Sequence, residues 1–371
     1  MNRTPRFEIF VVCIPGLETD LQAEVLEKGF AGATVVPGGV VFEGDWSDVW
    51  RANLELRGAS RILARIGSFL AFHLAQLDKR ARKFPWGEFL RADVPVRVQA
   101  TCKASKIYHA GAATQRIENA LRDSIGITIS PEAEIVLKAR IDDNVVTLSL
   151  DTSGEPLHRR GHKEAVGKAP IRETLAALLL CKAGYSGNEP VVDPMCGSGT
   201  FPIEAAEIAA GLYPGRGRSF AFEHFAQFDN HVWDAMRVPP SIKTPKAHFY
   251  GSDRDAGAIR MSKANAERAG VSDLISFENH PVSELQRPDG PPGLIMINPP
   301  YGARIGNKKL LYGLHGALGQ TLKERFKGWR VGLVTSEQGL AKATGLSWRQ
   351  KSPPIAHGGL KVWFYQTDRL G

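Results

Sequence analysis

Ten residues, Val191 to Thr200, constrain the fold of this chain more than any other stretch: two β-branched residues, an acid, Pro194-Met195-Cys196, a Gly-Ser-Gly turn and a threonine that opens an alanine-rich segment. A strand that stops at an acid and reverses into a helix through two glycines belongs at the carboxyl edge of a parallel sheet. The rest of the second half agrees. Periodicity alternates as helix 172–184, strand 190–193, helix 201–210, a long insert, strand 248–252, helix 256–270, strands 275–278 and 294–297, helix 310–326, strand 331–335 and a terminal strand 362–367. This order predicts a doubly wound, largely parallel α/β sheet whose ligand sits at the carboxyl ends of its strands.

The first half reads in smaller α+β steps. Strand 7–14, helix 19–29, a hairpin through Pro37-Gly38-Gly39, helix 47–56 capped at Asp45 or Ser47 and a strand near 61–69 come first. A strand 94–100, helix 110–124 and a hairpin of 135–140 with 145–150 around Asp142-Asp143-Asn144 follow. Such modules pack helices on antiparallel sheets, as a platform more than a nucleotide site. The character changes after Leu157-His158-Arg159-Arg160-Gly161-His162-Lys163, which places a boundary near 165. A chain of 371 residues exceeds one typical core, so two domains are expected, one of them subdivided.

The net charge of +8 is unevenly spread. Residues 1–56 carry nine acids and four bases, residues 57–116 twelve bases and three acids, and residues 300–351 ten bases and two acids. One basic run is usually a solvated surface, but two, with one just after a candidate catalytic motif, point to a polyanion. Lys79, Arg80, Arg82 and Lys83 lie in the first, with Trp86, Tyr108 and His109 available to stack on bases unless the fold needs them as core. Four scattered cysteines without a C-x-x-C pair argue against a disulfide framework and a zinc cluster, and ten histidines without ligand spacing predict no metal. No apolar run approaches the roughly 20 residues of a membrane span. The stretch 7–17 reads as a first strand and not a leader, since it holds Glu8 and lacks a small-residue cleavage site. A cytoplasmic protein is expected.

Asp193, Pro194, Gly197, Ser198, Gly199 and Thr200 form the candidate cofactor turn. Glycines let the backbone approach a ligand, and the N–H groups of the next helix attract an anion. The spacing of a dinucleotide site is absent, and without the lysine of a phosphate loop ATP is disfavoured. An acid suited to an ammonium, beside a helix start and Thr200 suited to a carboxylate, matches the amino-acid end of S-adenosylmethionine. Asp253 ends the strand 248–252 where a carboxylate can accept ribose hydroxyls; Asp255 competes for that role but is also placed to cap a helix.

Leu294-Ile295-Met296-Ile297-Asn298-Pro299-Pro300-Tyr301 is the sharpest chemical signal. Four apolar residues make a buried strand, and Asn-Pro-Pro forces a rigid exit with few backbone donors. An aromatic amine is a poor nucleophile because its lone pair is delocalised into the ring. The oxygen of Asn298 and the carbonyl of Pro299 can accept its two N–H bonds as a methyl group arrives, and Tyr301 can stack on the base. Asn298, Pro299, Pro300 and Tyr301 are therefore the candidate catalytic residues, with Asn298 also bordering the cofactor.

At these residues the chain resembles THUMP-domain class I methyltransferases, and is similar to the family that makes N2-methylguanosine in 23S ribosomal RNA. The match runs through Asp151 to Gly154, Leu157 to Gly161, Ala169-Pro170-Ile171-Arg172-Glu173, Asp193 to Thr200 with Pro202 to Ala206, and Asn298 to Gly302 with Arg304. The resemblance implies a ferredoxin-like module over 1–58, a THUMP RNA-binding domain over 59–164 and a Rossmann-like methyltransferase sheet over 165–371. It also implies S-adenosylmethionine as cofactor, and ribosomal RNA or a pre-ribosomal particle as partner, with tRNA as the alternative and no obligate protein partner. Arg160, Lys163, Arg172 and Arg304 are then expected at the RNA or the cofactor entrance. Where relatives carry an acid after strand 275–278, this chain has Pro281. DNA adenine methyltransferases share Asn-Pro-Pro-Tyr, but the basic half shows no groove-reading helix motif. Intact Asp193, Gly197, Gly199, Asn298 and Tyr301 speak against a non-catalytic RNA-binding factor.

Overall fold

The computed structural model describes residues 6–163, 171–238, 244–300 and 308–371. In chain order the elements are β1 (Phe7–Val12), α1 (Glu18–Glu27), β2 (Thr34–Val36), β3 (Gly39–Gly44), α2 (Trp46–Glu55), β4 (Arg61–Leu70), α3 (Leu74–Arg82), β5 (Val96–Lys103), α4 (Ala110–Ile125), β6 (Ile135–Asp142) and β7 (Val145–Asp151). Then come α5 (Glu173–Lys182), β8 (Val191–Asp193), α6 (Thr200–Ala210), α7 (Asn230–Arg237), β9 (Phe249–Asp253), α8 (Ala256–Ala269), β10 (Ile275–Asn279) and β11 (Leu294–Ile297). The chain ends with α9 (Lys308–Arg325), β12 (Arg330–Thr335), α10 (Gln338–Ala343), β13 (Trp348–Lys351), β14 (Ile355–His357) and β15 (Leu360–Thr367). No described helix is long and apolar enough to cross a membrane.

Two compact units result, interleaved in sequence where the reading had them consecutive. The first takes the chain up to Cys13, Val25–Leu157 and Arg218–Val238; the second takes Ile14–Glu24, His158–Gly217 and the described residues from 244 on. Aromatic packing explains why Arg218–Val238, part of the long insert, returns to the first unit. Trp46 and Trp50 on α2 meet Phe225 at 5.9 Å and Phe222 at 6.1 Å, and Phe228 lies 5.7 Å from Trp50. Rings of this size dominate a small core. The cap of α2 is Asp45: its carboxylate accepts the Ser47 and Asp48 N–H groups while Asp48 accepts from the Asp45 N–H.

The first unit is built on one sheet of order β2-β3-β1-β4-β7-β6-β5. Its opening βαββαβ run is ferredoxin-like in order. Ile9 and Val11 of β1 are buried opposite Phe42 and Val40 of β3, which gives that sheet its core side. The basic run 79–83 lies mostly on a helix, α3, that the apolar periodicity does not reveal. Leu77 and Ala81 turn inward while Lys79, Arg80, Arg82 and Lys83 face solvent. Trp86 does not join them. It is 1% exposed, packs on Phe84 and donates its indole N–H to the Ala81 carbonyl at 2.7 Å, so of its two expected roles it takes the core one and does not stack on bases.

The second unit carries a sheet of order β10-β9-β8-β11-β12-β15-β13. Strands β8 to β12 are mutually parallel, and β15 runs antiparallel to both β12 and β13. From β8 the chain winds one way through β9 and β10 and the other way through β11 and β12. The ends of β8 and β11 therefore lie side by side at the switch point, where a doubly wound sheet binds its ligand. All four residues of β11 are buried, as a strand covered on both faces requires. Ile295, Ile297 and Leu333 share a core with Leu318, Leu322, Phe326 and Trp329.

Candidate active site

The turn after β8 is shaped by its glycines. Gly197 and Gly199 both sit at positive φ, 54° and 82°, a conformation that favours glycine. Around Gly199 the space is closed: an added Cβ would lie 3.1 Å from both Phe277 and Ser262. At Gly197 it is open, with nothing within 4 Å, so that side of the turn leaves room for a ligand. Two side chains of α8 that sequence reading missed hold the turn from behind. Ser262 donates to the Gly197 carbonyl at 2.8 Å, and Asn265 to the Ser198 carbonyl at 3.0 Å. Both are fully buried, and their only sequence signal is polar spacing three apart on one helix face. The turn delivers the chain into α6, whose first N–H groups have no partner inside the helix; Pro202 is tolerated there because it falls in that first turn.

Two acids converge on the turn. Asp193 is buried and accepts the Met195 N–H at 3.0 Å. Asp253 accepts the Gly197 N–H at 3.1 Å and the Asp255 N–H at 2.9 Å. Asp255 is occupied as the cap of α8, accepting from Gly257 at 2.7 Å, which leaves Asp253 as the strand-end acid. Burial pushes the Asp193 carboxyl well above its ordinary range, the Met195 N–H opposes this, and the neighbouring Asp253 adds to it. The folded state thus binds the Asp193 proton more tightly than the unfolded chain does. Between the two pKa values the native state holds the extra proton, so this group's contribution to stability is present at low pH and is lost as pH rises through the folded value. We expect ligand-free protein to lose melting temperature as pH rises above the ordinary carboxylate range and Asp193→Asn to flatten that slope; an unchanged slope in the variant would assign it elsewhere. An ammonium group beside the carboxylate would offset the penalty. Asp193, the open side of Gly197, the α6 N-terminus and Asp253 fit the ammonium, carboxylate and ribose of S-adenosylmethionine.

Beside the turn, β11 runs two residues past Ile295, its last partner in β8, and Asn298 follows directly on its end. Its Oδ1 is buried and has no hydrogen-bond partner, which is costly and uncommon in a folded protein. Pro299 is buried and Pro300 half-buried. Tyr301 and Arg304 lie outside the described residues. At the end of β10, Pro281 leads a short turn through Val282 in place of an acid.

Arg160 and Lys163 do not face solvent as expected. Arg160 is 3% exposed and pairs with the equally buried Glu204 of α6 at 3.5 Å, so its place at an RNA surface is corrected to a buried ion pair. Lys163 reaches Thr200 Oγ1 at 2.9 Å, the Ile171 carbonyl at 3.1 Å and Glu173 at 3.0 Å. It ties the connector to the start of α6, on the cofactor side. Arg172, N-terminal to α5, is exposed; burial first, then its guanidinium and the nearby Arg159 and Arg160, push the His158 imidazole down to about 4. On α3, Arg82 is held by Asp78 and Asp123 and its guanidinium is pushed up by those bonds. Lys79, Arg80 and Lys83 have no ion pair among the described residues.

A switch-point sheet, a glycine turn between two acids and an unpaired asparagine oxygen beside it define an enzyme of the Rossmann-like methyltransferase class. Residues 160–361 match the RMKL-like methyltransferase domain, and the chain belongs to that family. Residues 8–63 match the RlmL ferredoxin-like domain. Among solved structures, a predicted N6-adenine-specific DNA methylase from Listeria monocytogenes is 30% identical over 98% of this chain and 96% of its own, with a TM-score of 0.84. A candidate methylase from Clostridium difficile 630 is 28% identical over 98% of both chains, with a TM-score of 0.86. SMU.472, a candidate methyltransferase solved in complex with SAH, is 26% identical over 99% of both, also at 0.86.

Proposed function

We propose that this methyltransferase uses S-adenosylmethionine to methylate the exocyclic N2 amine of a guanine in 23S ribosomal RNA. In this reading residues 59–164 act as a THUMP RNA-binding domain between a ferredoxin-like module and the catalytic domain from 165. The buried, unpartnered Oδ1 of Asn298 carries the proposal. An acceptor kept dry and unpaired at the mouth of the glycine turn is suited to a donor that arrives with the substrate.

Bound at the turn, S-adenosylmethionine supplies an electrophilic methyl group on its sulfonium. Asp193 holds the ammonium, the α6 N-terminus and Thr200 hold the carboxylate, and Asp253 holds the ribose. Asn298 Oδ1 and the Pro299 carbonyl accept the two N–H bonds of the base amine and turn its lone pair out of conjugation. As the nitrogen–carbon bond forms and the carbon–sulfur bond breaks, both oxygens stabilise the positive charge on the amine, whose proton then leaves to solvent. Tyr301 stacks on the base, while Lys79, Arg80, Lys83 and Arg304 meet phosphates.

The amines of guanine and adenine pose the same chemical problem, so Asn298 to Tyr301 do not choose between them; the guanine assignment rests on the resemblance to N2-guanine enzymes. The test is to incubate the protein with labelled cofactor and unmodified 23S RNA, tRNA or DNA and to identify the product nucleoside. N2-methylguanosine in 23S RNA is expected. Label confined to tRNA would move the substrate, N6-methyladenine would overturn the base, and no label in any nucleic acid would leave a binding protein.

A further inference from the structure

We propose that the tip where the ends of β4 and β7 meet the loop entering α4 is a rigid stacking platform for an unpaired stretch of RNA. This rests on the reading of the chain as an RNA methyltransferase and names a surface that delivers its substrate. Tyr108 is 85% exposed, more than any other large hydrophobic side chain among the described residues. Phe72 stands exposed nearby, and Leu70 and Val145, paired across β4 and β7, are exposed as well.

The tip is braced. Asn144 receives the Lys106 N–H on its side-chain oxygen at 2.9 Å and the Ala71 N–H on its carbonyl at 2.9 Å, while its own N–H donates to Ser105 Oγ at 2.9 Å. One residue thereby ties together the end of β4, the β6–β7 turn and the loop before α4. The three non-glycine residues with positive φ among those described, Ala104, Asp143 and Asn144, all lie here. Positive φ at Asp143 and Asn144 is the ordinary geometry of a two-residue hairpin turn, and at Ala104 it persists because the surroundings enforce it. A braced loop that holds two exposed rings in place is explained by something that covers those rings.

Charge identifies what covers them. Lys106 Nζ lies 5.4 Å over the Phe72 ring, and Lys103 is exposed at the end of β5, where that loop begins. Asp143 is the exposed acid of the tip, and Asp142 is paired with Arg140. Aromatic faces interleaved with cations suit bases and phosphates in alternation, and every base has a face to stack. A duplex hides those faces, so the occupant is single-stranded.

The full chain should be titrated against labelled oligouridylate and against a blunt RNA duplex by fluorescence anisotropy. Tyr108→Ala should weaken single-strand binding about tenfold with its salt dependence kept, and Tyr108→Phe should stay within about twofold of the parent. Lys106→Gln should lower the salt slope by about 0.7, and duplex binding should not respond to Tyr108→Ala. Undiminished single-strand binding by Tyr108→Ala, together with loss in Lys79→Glu/Arg80→Glu, would overturn the platform and leave the RNA reading intact. Failure of the parent chain to bind either RNA would overturn both. A dimer that dissociates on Tyr108→Ala in sedimentation would make the tip a self-association surface and end the proposal.

Discussion

Asn298→Ala will slow methyl transfer by about 100- to 1,000-fold, the loss that follows removal of one group aimed at transition-state charge. The amine loses an acceptor for one N–H bond just as its nitrogen becomes positive, so the effect falls on the chemical step. Affinity for S-adenosylmethionine should fall less than about tenfold, because Asp193, Asp253 and the α6 N-terminus remain. Folding should be preserved or slightly improved, since the variant removes a buried oxygen that has no partner. Single-turnover rates with calorimetric cofactor binding separate these effects. A rate within about fivefold of the parent would show that the amine is activated elsewhere.

Arg160→Ala should destabilise the protein by about 3–5 kcal/mol, because it removes the guanidinium paired with the buried Glu204 carboxylate. Both side chains are almost wholly enclosed, at 2% and 1% exposure, so water cannot replace the guanidinium. Two-state denaturation would read the loss. The double variant Arg160→Met/Glu204→Leu should recover most of it, as paired apolar replacement of a buried ion pair often does. An Arg160 that served the RNA surface would behave in the opposite way: stability near that of the parent, with weaker RNA binding. That pattern would return the residue to the role its motif suggests.

Arg160 also shows how far the linear sequence could be read. It stands in Leu157-His158-Arg159-Arg160-Gly161, where a basic run after a domain core looks like an RNA contact, and Arg159 is indeed exposed while Arg160 is buried. Which of two adjacent arginines turns inward depends on Glu204, 44 positions away on α6. Trp86 is a similar case. A tryptophan among cations looks like a stacking residue until α3 forms and its indole is needed against Phe84 and the Ala81 carbonyl. Helix α3 itself escaped because five of the nine residues Leu74–Arg82 are polar, and only Leu77 and Ala81 face inward. Strand β13, Trp348–Lys351, escaped for a related reason: an edge strand with three exposed residues carries no apolar pattern.

By contrast, the doubly wound sheet was legible because its strands are buried on both faces and bounded by glycine and proline, so local composition and tertiary position coincide. The turn from Asp193 to Thr200 and the exit at Asn298 were legible for the same reason, as each is a local backbone device that only certain residues can adopt. Tertiary structure alone decided that Arg218–Val238 leaves the unit containing its sequence neighbours to pack on Trp46 and Trp50. It alone decided that Ser262 and Asn265 brace the glycine turn and that Asp253 accepts the Gly197 N–H. Those outcomes depend on pairings between residues far apart in the chain, and hydrophobic and polar partners of that kind leave no periodic trace in either segment.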